Sequence, residues 1–171
     1  MKIVAVNDTN IIIDLFNVGL LDMFLSSEIE LHTTDFVINE IVDLEQAKAI
    51  EKYINNGNLF VKEFSGDEME SLFAFQSTQA SNVSVTDCSV WKYALENEYV
   101  LLTGDGNLRR DALENGVTVR GILYVFDLLI DARLLSFQMA INKLEQLLSN
   151  NVRLPRGACS SKIESWKSLS R

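Results

Sequence analysis

The stretch KIVAVNDTNIIIDL, Lys2 to Leu15, joins two apolar runs through a polar turn. Ile3 to Asn7 is apolar and β-branched enough for a buried strand in the middle of a sheet. The chain then turns at Asp8-Thr9-Asn10, and Ile11 to Phe16 has the length and flanks of a helix start. A carboxylate at the end of a central strand, just ahead of a helix, lies in the crevice outside the strands' carboxyl ends. Open α/β sheets place their ligands there. Asp8 or Thr9 is equally suited to capping the helix, so the meaning of this acid depends on what else reaches the same edge.

Working outward, strands and helices alternate. Ile11 to Leu25 reads as one or two helices, broken near Asn17-Val18-Gly19. Ile29 to Thr33 is a second strand, and Asp35 precedes FVINEIVDL, whose Val37, Ile38, Ile41 and Val42 or Leu44 recur at helical spacing. Glu40 falls in this helix, close to its N-terminal turn. Glu45 to Asn56 reads as a helix ending at Gly57, Asn58 to Phe64 as a third strand, and a helix opens at Ser65 or Asp67. The polar run Gln76 to Ser84 is the best candidate for a flexible loop. Asp87 then sits in the first turn of an amphipathic helix carrying Val90, Trp91, Ala94 and Leu95. Tyr99 to Thr103 is a fourth strand, and it runs into Gly104-Asp105-Gly106-Asn107, a sharp turn that leaves a carboxylate at the strand's end. Leu108 to Asn115, Gly121 to Ala132, Leu134 to Leu148 and a segment over 158–169 read as helices, with Val117 to Val119 a last strand. This alternation predicts a mostly parallel sheet covered on both faces.

Asp8, Asp87 and Asp105 therefore each fall at a strand end or in a helix's first turn, and Glu40 falls near one. In a parallel sheet these positions open onto one edge. Four carboxylates facing one another raise each other's pKa values unless a cation separates them. An oxygen-only donor set suits Mg²⁺ or Mn²⁺, and such an ion activates water without a covalent nucleophile. The lone histidine, His32, sits within a strand and reads as a half-buried structural residue, so neither a Ser-His-Asp nor a Cys-His mechanism is indicated.

Composition narrows the class. The 171 residues, 47% hydrophobic and 23% charged, suit one globular domain with a sizeable core. Cys88 and Cys159 lack metal-type or disulfide-framework spacing. With no basic leader and no apolar run of membrane-spanning length, a cytoplasmic protein is expected. The net charge of −9 is unevenly spread: residues 1–104 carry −12 and residues 105–171 carry +3. Phosphate affinity follows local cations rather than the total, so the second half is where a basic surface would be found.

The ordered segments VNDTN, VINEI, SVTDCSVWKYAL and VLLTGDGNLRR resemble the PIN-domain nucleases, which include the VapC-type toxin ribonucleases. That family has an Asp after the first strand, a Glu on an early helix, an Asp opening a later helix and a Thr-x-Asp after the fourth strand. These fall on Asp8, Glu40, Asp87 and Asp105. Thr9 and Asn10 match the small polar residues after the first Asp, and Thr103 the threonine of the last motif. The tail, GVTVRGILYVFDLLIDARLLS and the helix and Leu-Pro beyond it, resembles a longer PIN-like subgroup of nucleic-acid-binding proteins. The likeness covers essentially the whole chain, most firmly residues 2–130. It departs at Asn107, where many members carry a further acid. Asparagine can coordinate a metal but adds no charge, which weakens a second metal site.

The resemblance implies a three-layer α/β/α fold around a five-stranded, mostly parallel sheet. It divides the chain into a PIN-like domain over 1–133 and a C-terminal helical extension, 134–171, packed on the same domain. It implies divalent-metal-dependent cleavage of RNA, with Asp8 and Asp105 holding the principal metal, and Glu40 and Asp87 completing the ligand set or orienting water. Arg109 and Arg110, one turn past the site, are candidates for phosphate contact and equally for ordinary solvated positions. A toxin of this class would have a cognate antitoxin as partner, and many members form homodimers. Two other readings are a catalytically silent PIN-like binding module and a haloacid-dehalogenase-like phosphatase. The phosphatase is suggested by Gly104-Asp105-Gly106, but it would need a proton-shuttling acid where Asn10 stands.

Overall fold

A computed structural model describes residues 3–79 and 82–170. Five strands, β1 (Val4–Asn7), β2 (Glu30–Thr34), β3 (Leu59–Lys62), β4 (Val100–Leu102) and β5 (Val119–Arg120), form one sheet in the order β3-β2-β1-β4-β5. Every neighbouring pair is parallel. The strand that opens the chain is therefore the central one, and Ala5 and Val6 are fully buried in it. Because β2 and β3 are added on one side and β4 and β5 on the other, the order reverses beside β1. The switch point falls between β1 and β4, where Asn7 pairs with Leu102.

Ten helices are described: α1 (Thr9–Asn17), α2 (Leu21–Leu25), α3 (Asp35–Glu40), α4 (Leu44–Asn55), α5 (Gly66–Ser77), α6 (Val85–Asn97), α7 (Gly106–Glu114), α8 (Ile122–Asp131), α9 (Phe137–Asn150) and α10 (Arg156–Leu169). Among the described residues none is long and apolar enough to cross a membrane. Trp91 of α6, Phe24 of α2 and Phe126 of α8 are among the largest fully buried side chains. The break between α1 and α2 sits at Gly19, whose φ of 69° is a left-handed conformation that glycine adopts without a Cβ clash.

The FVINEIVDL helix is shorter than its apolar spacing predicts. α3 stops at Glu40, Ile41 turns to extended backbone, and Val42 is 88% exposed. Asp43 takes over by accepting from the backbone N–H groups of Glu45 and Gln46, so α4 starts as a separate helix. Glu40 thus ends α3 instead of lying near its start. Helix α5 runs to Ser77, into the stretch read as a loop; Ala80 and Ser81 of that stretch lie outside the described residues, as does Lys2 of the opening segment.

The C-terminal helices attach through mixed contacts. Trp166 of α10 stacks on Phe126 at a centroid distance of 5.8 Å, and Lys162 pairs with Asp127 at 2.6 Å. Asn151, which caps α9, donates its amide to both oxygens of the buried Asp14 on α1, at 3.0 and 3.1 Å. On the last helix Cys159, Ile163 and Trp166 are buried, while Leu169 is exposed.

A carboxylate-lined sheet edge as the candidate active site

The acids at the switch point are each held by the start of a helix. Asp8 is the N-cap of α1, with Oδ1 accepting from the Thr9 N–H at 2.6 Å. Its Oδ2 accepts from the Thr103 hydroxyl at 2.8 Å and from the Asn10 amide at 3.3 Å. Asp105 is the N-cap of α7, with Oδ1 accepting from the N–H groups of Asn107 and Leu108 at 2.9 and 2.8 Å. Asp87 closes a capping box on α6: its Oδ2 accepts from the Ser84 N–H and hydroxyl, and its own N–H donates to Ser84 Oγ. Glu40 Oε2 accepts from the Thr9 hydroxyl at 2.8 Å.

The capping role and a ligand role are therefore compatible. A cap occupies one carboxylate oxygen and fixes its direction; for Asp105, Asp87 and Glu40 the second oxygen has no hydrogen-bond partner among the described residues. Two threonines tie the set together. The Thr103 hydroxyl donates to Asp8 and accepts from the Asp105 N–H at 3.0 Å, bridging the ends of β1 and β4. Thr9 ties the start of α1 to the end of α3.

Asp87 lies within electrostatic reach of the other three acids. Asp8 is 3% exposed, and its pKa rises from 3.8 to about 6, chiefly through burial; the Thr103 hydrogen bond opposes the rise and the charge of Asp87 adds to it. Asp87 is also pushed up, first by burial and then by the charges of Asp105 and Glu40, against the hydrogen bonds from Ser84. None of the four forms an ion pair with a lysine, arginine or histidine among the described residues. Beside them Asn7 is fully buried, and neither atom of its side-chain amide has a partner. Carboxyls with raised pKa values beside an unpartnered buried amide are a mark of functional sites.

The donor chemistry, oxygen throughout with uncompensated negative charge, fits a hard divalent cation. As the side chains lie, the set is open: among the described residues no three such groups stand close enough to hold an ion together. Asn107 is exposed and contributes its backbone N–H to the Asp105 cap. The two arginines differ from each other. Arg110 pairs with Asp111 at 2.9 Å, whereas a Cβ built on Gly121 would lie 3.6 Å from Arg109 Nη1. His32 stands apart from the acids, with Nδ1 2.8 Å from the Tyr93 hydroxyl and Nε2 3.0 Å from Glu30.

Residues 4–168 match the sequence model of the family described as a PIN domain, DUF3368. The chain belongs to this PIN-domain family. PIN domains are generally nucleases and generally use divalent metals, and the five-stranded parallel sheet between helices is their fold. Similar solved structures include a PilT N-terminus domain protein from Sulfolobus solfataricus, 14% identical over 72% of this chain and 90% of the other, with a TM-score of 0.47. A domain of a functionally unknown protein from Methanocaldococcus jannaschii is 16% identical over 71% and 91%, with a TM-score of 0.46. VapBC2 from Rickettsia felis, bound to a promoter DNA fragment, is 13% identical over 70% and 98%, with a TM-score of 0.42. No curated protein matches the chain.

Within this PIN domain, Ser84 is a residue that sequence reading passed over. It lay in a run read as loop, yet the spacing Ser84-x-x-Asp87 is a capping-box signature and was the available signal. Asn7 carried no comparable signal, because an amide at a strand end is common and its lack of partners appears only in three dimensions.

Proposed function

We propose that this PIN-domain protein is a divalent-metal-dependent ribonuclease that hydrolyses RNA phosphodiester bonds. The observation that carries the reading is that Asp8, Glu40 and Asp105 all lie within the field of Asp87, with no ion pair to any of the four among the described residues. Asp8 and Asp105 are assigned the principal Mg²⁺ or Mn²⁺, with Glu40 and Asp87 completing the ligand set or orienting water; gathering them takes side-chain rotation. When bound, the cation supplies Lewis acidity at a phosphoryl oxygen and makes water acidic enough to attack at neutral pH. Thr103 keeps the Asp8 carboxylate and the Asp105 turn in register, and Thr9 keeps Glu40 against the start of α1. Asn107 is assigned a neutral supporting position. Asn10 donates to Asp8, which leaves the phosphatase reading without its second acid.

The protein is proposed to act in the cytoplasm, as the toxin of a toxin–antitoxin pair. The surface that suits an antitoxin is an apolar groove of about 230 Å³ walled by Ile38, Ile41, Ala47, Ile50, Ile54 and Glu51. Val42 and Leu44, 88% and 74% exposed, adjoin it in sequence, interleaved with Asp43 and Glu45. Apolar anchors among acids favour a basic amphipathic segment.

The test is cleavage of a labelled structured RNA by protein stripped with chelator and resupplied with Mg²⁺ or Mn²⁺. Activity that requires the metal and vanishes in Asp105→Asn supports the nuclease. Absence of cleavage with metal bound supports the silent binding module, the reading favoured by the open ligand set.

A further inference from the structure

Asp8, Glu40 and Asp87 sit in the half of the chain that carries −12, and Asp105 opens the half that carries +3, so a polyanion needs local positive charge to approach them. Such charge stands at the ends of β4 and β5. Arg120 is the last residue of β5, and its carbonyl accepts from the Thr103 N–H at 3.0 Å. Thr103 in turn touches Asp8. The Arg120 guanidinium lies 5.6 Å from the centroid of the half-buried Tyr124 ring. Arg109, from the first turns of α7, folds back so that its Nη1 and the Thr103 carbonyl oxygen lie 3.6 and 3.7 Å from the Gly121 Cβ position. Both arginines are exposed, and neither has a carboxylate partner among the described residues, whereas Arg110 has one. Arg120 Nη1 donates only to the Val119 carbonyl, at 3.2 Å; in an acidic chain, arginines without a carboxylate partner at the sheet edge that carries Thr103 are placed for an anion that comes from outside.

We propose that Arg109, Arg120 and Tyr124 form the lip that holds a single-stranded RNA against the site. The two guanidiniums take phosphates flanking the scissile bond, and an unstacked base lies on the Arg120–Tyr124 pair. Guanidinium planes and aromatic rings are the surfaces on which splayed bases stack, and a duplex does not present its bases in this way. The RNA class rests on the nuclease reading above, but the lip is tested without catalysis.

The experiment is fluorescence anisotropy of short labelled polyadenylate in EDTA at several salt concentrations. Arg109→Gln/Arg120→Gln is expected to bind about tenfold more weakly. Its plot of log affinity against log salt should be less steep by about 1.4, because each phosphate that a cation neutralises on a single strand adds roughly 0.7 to the slope. Tyr124→Leu is expected to weaken binding about fivefold or more, with Tyr124→Phe restoring it. Arg110→Gln, whose guanidinium is paired with Asp111, should match wild type in affinity and slope. Far-UV circular dichroism confirms that each variant is folded. Unchanged affinity and slope in the double variant, or no binding by wild type at low salt, overturns the lip. RNA binding of the expected form without metal-dependent cleavage leaves the lip standing and rejects the nuclease; cleavage with an unaltered double variant does the reverse.

Discussion

Replacing Asp8 with asparagine is expected to make the metal-free protein more stable while abolishing its activity. Burial raises the Asp8 carboxyl from 3.8 to about 6, and the difference corresponds to roughly 3 kcal/mol of unfavourable ionisation in the native state. The native chain holds the proton more tightly than the unfolded chain. Stability is therefore greatest below pH 4 and falls as pH rises through 6. Asparagine removes that charge and keeps one carbonyl oxygen for the Thr9 N–H. It loses the second acceptor used by Asn10 and Thr103, a loss of about 1 kcal/mol. The net gain at pH 8 is about 2 kcal/mol, or about 6 °C in Tm for a domain of this size. Thermal unfolding in EDTA at pH 8, 6 and 4, followed by far-UV circular dichroism, gives the comparison. The gain should shrink as pH falls and turn into a small loss near pH 4, approaching about 1 kcal/mol below it. A lower Tm for Asp8→Asn at pH 8, or a difference that does not vary with pH, would refute the assignment of an uncompensated buried charge.

Three further outcomes are expected. Thr103→Val keeps shape but removes the hydroxyl that bridges Asp8 and Asp105; urea unfolding should show a loss of about 2 kcal/mol, and metal-dependent cleavage should fall. Ser84→Ala removes the α6 cap and releases Asp87, lowering stability by about 1 kcal/mol and weakening Mn²⁺ affinity measured by calorimetry. Asn151→Leu leaves the buried Asp14 without the amide that lowers its raised pKa; urea unfolding should show a loss of about 2 kcal/mol at pH 7, smaller at acidic pH where Asp14 is neutral.

The central strand and the parallel sheet around it were legible because a buried parallel strand needs a continuous apolar run. Val4–Asn7 and Val100–Leu102 are such runs, each followed at once by a polar turn. The gap between α3 and α4 was not legible, because Val42 and Leu44 continue the apolar spacing of α3 and yet face solvent. Only the cap formed by Asp43 marks the break. Asp8, Asp87 and Asp105 were correctly placed at the starts of helices, where each takes part in a cap. Local sequence spacing carries no sign of the Arg120–Tyr124 contact or of the fold-back of Arg109, since both depend on how the ends of β4 and β5 lie side by side.

The most direct measurement is a Mn²⁺ titration of chelator-stripped protein by isothermal calorimetry, with Asp8→Asn and Asp105→Asn prepared in the same way. The account expects one saturable site on the wild type that is lost in both variants. Wild type that binds no Mn²⁺, or variants that bind it as well as wild type, would contradict the claim that these carboxylates form a cation site.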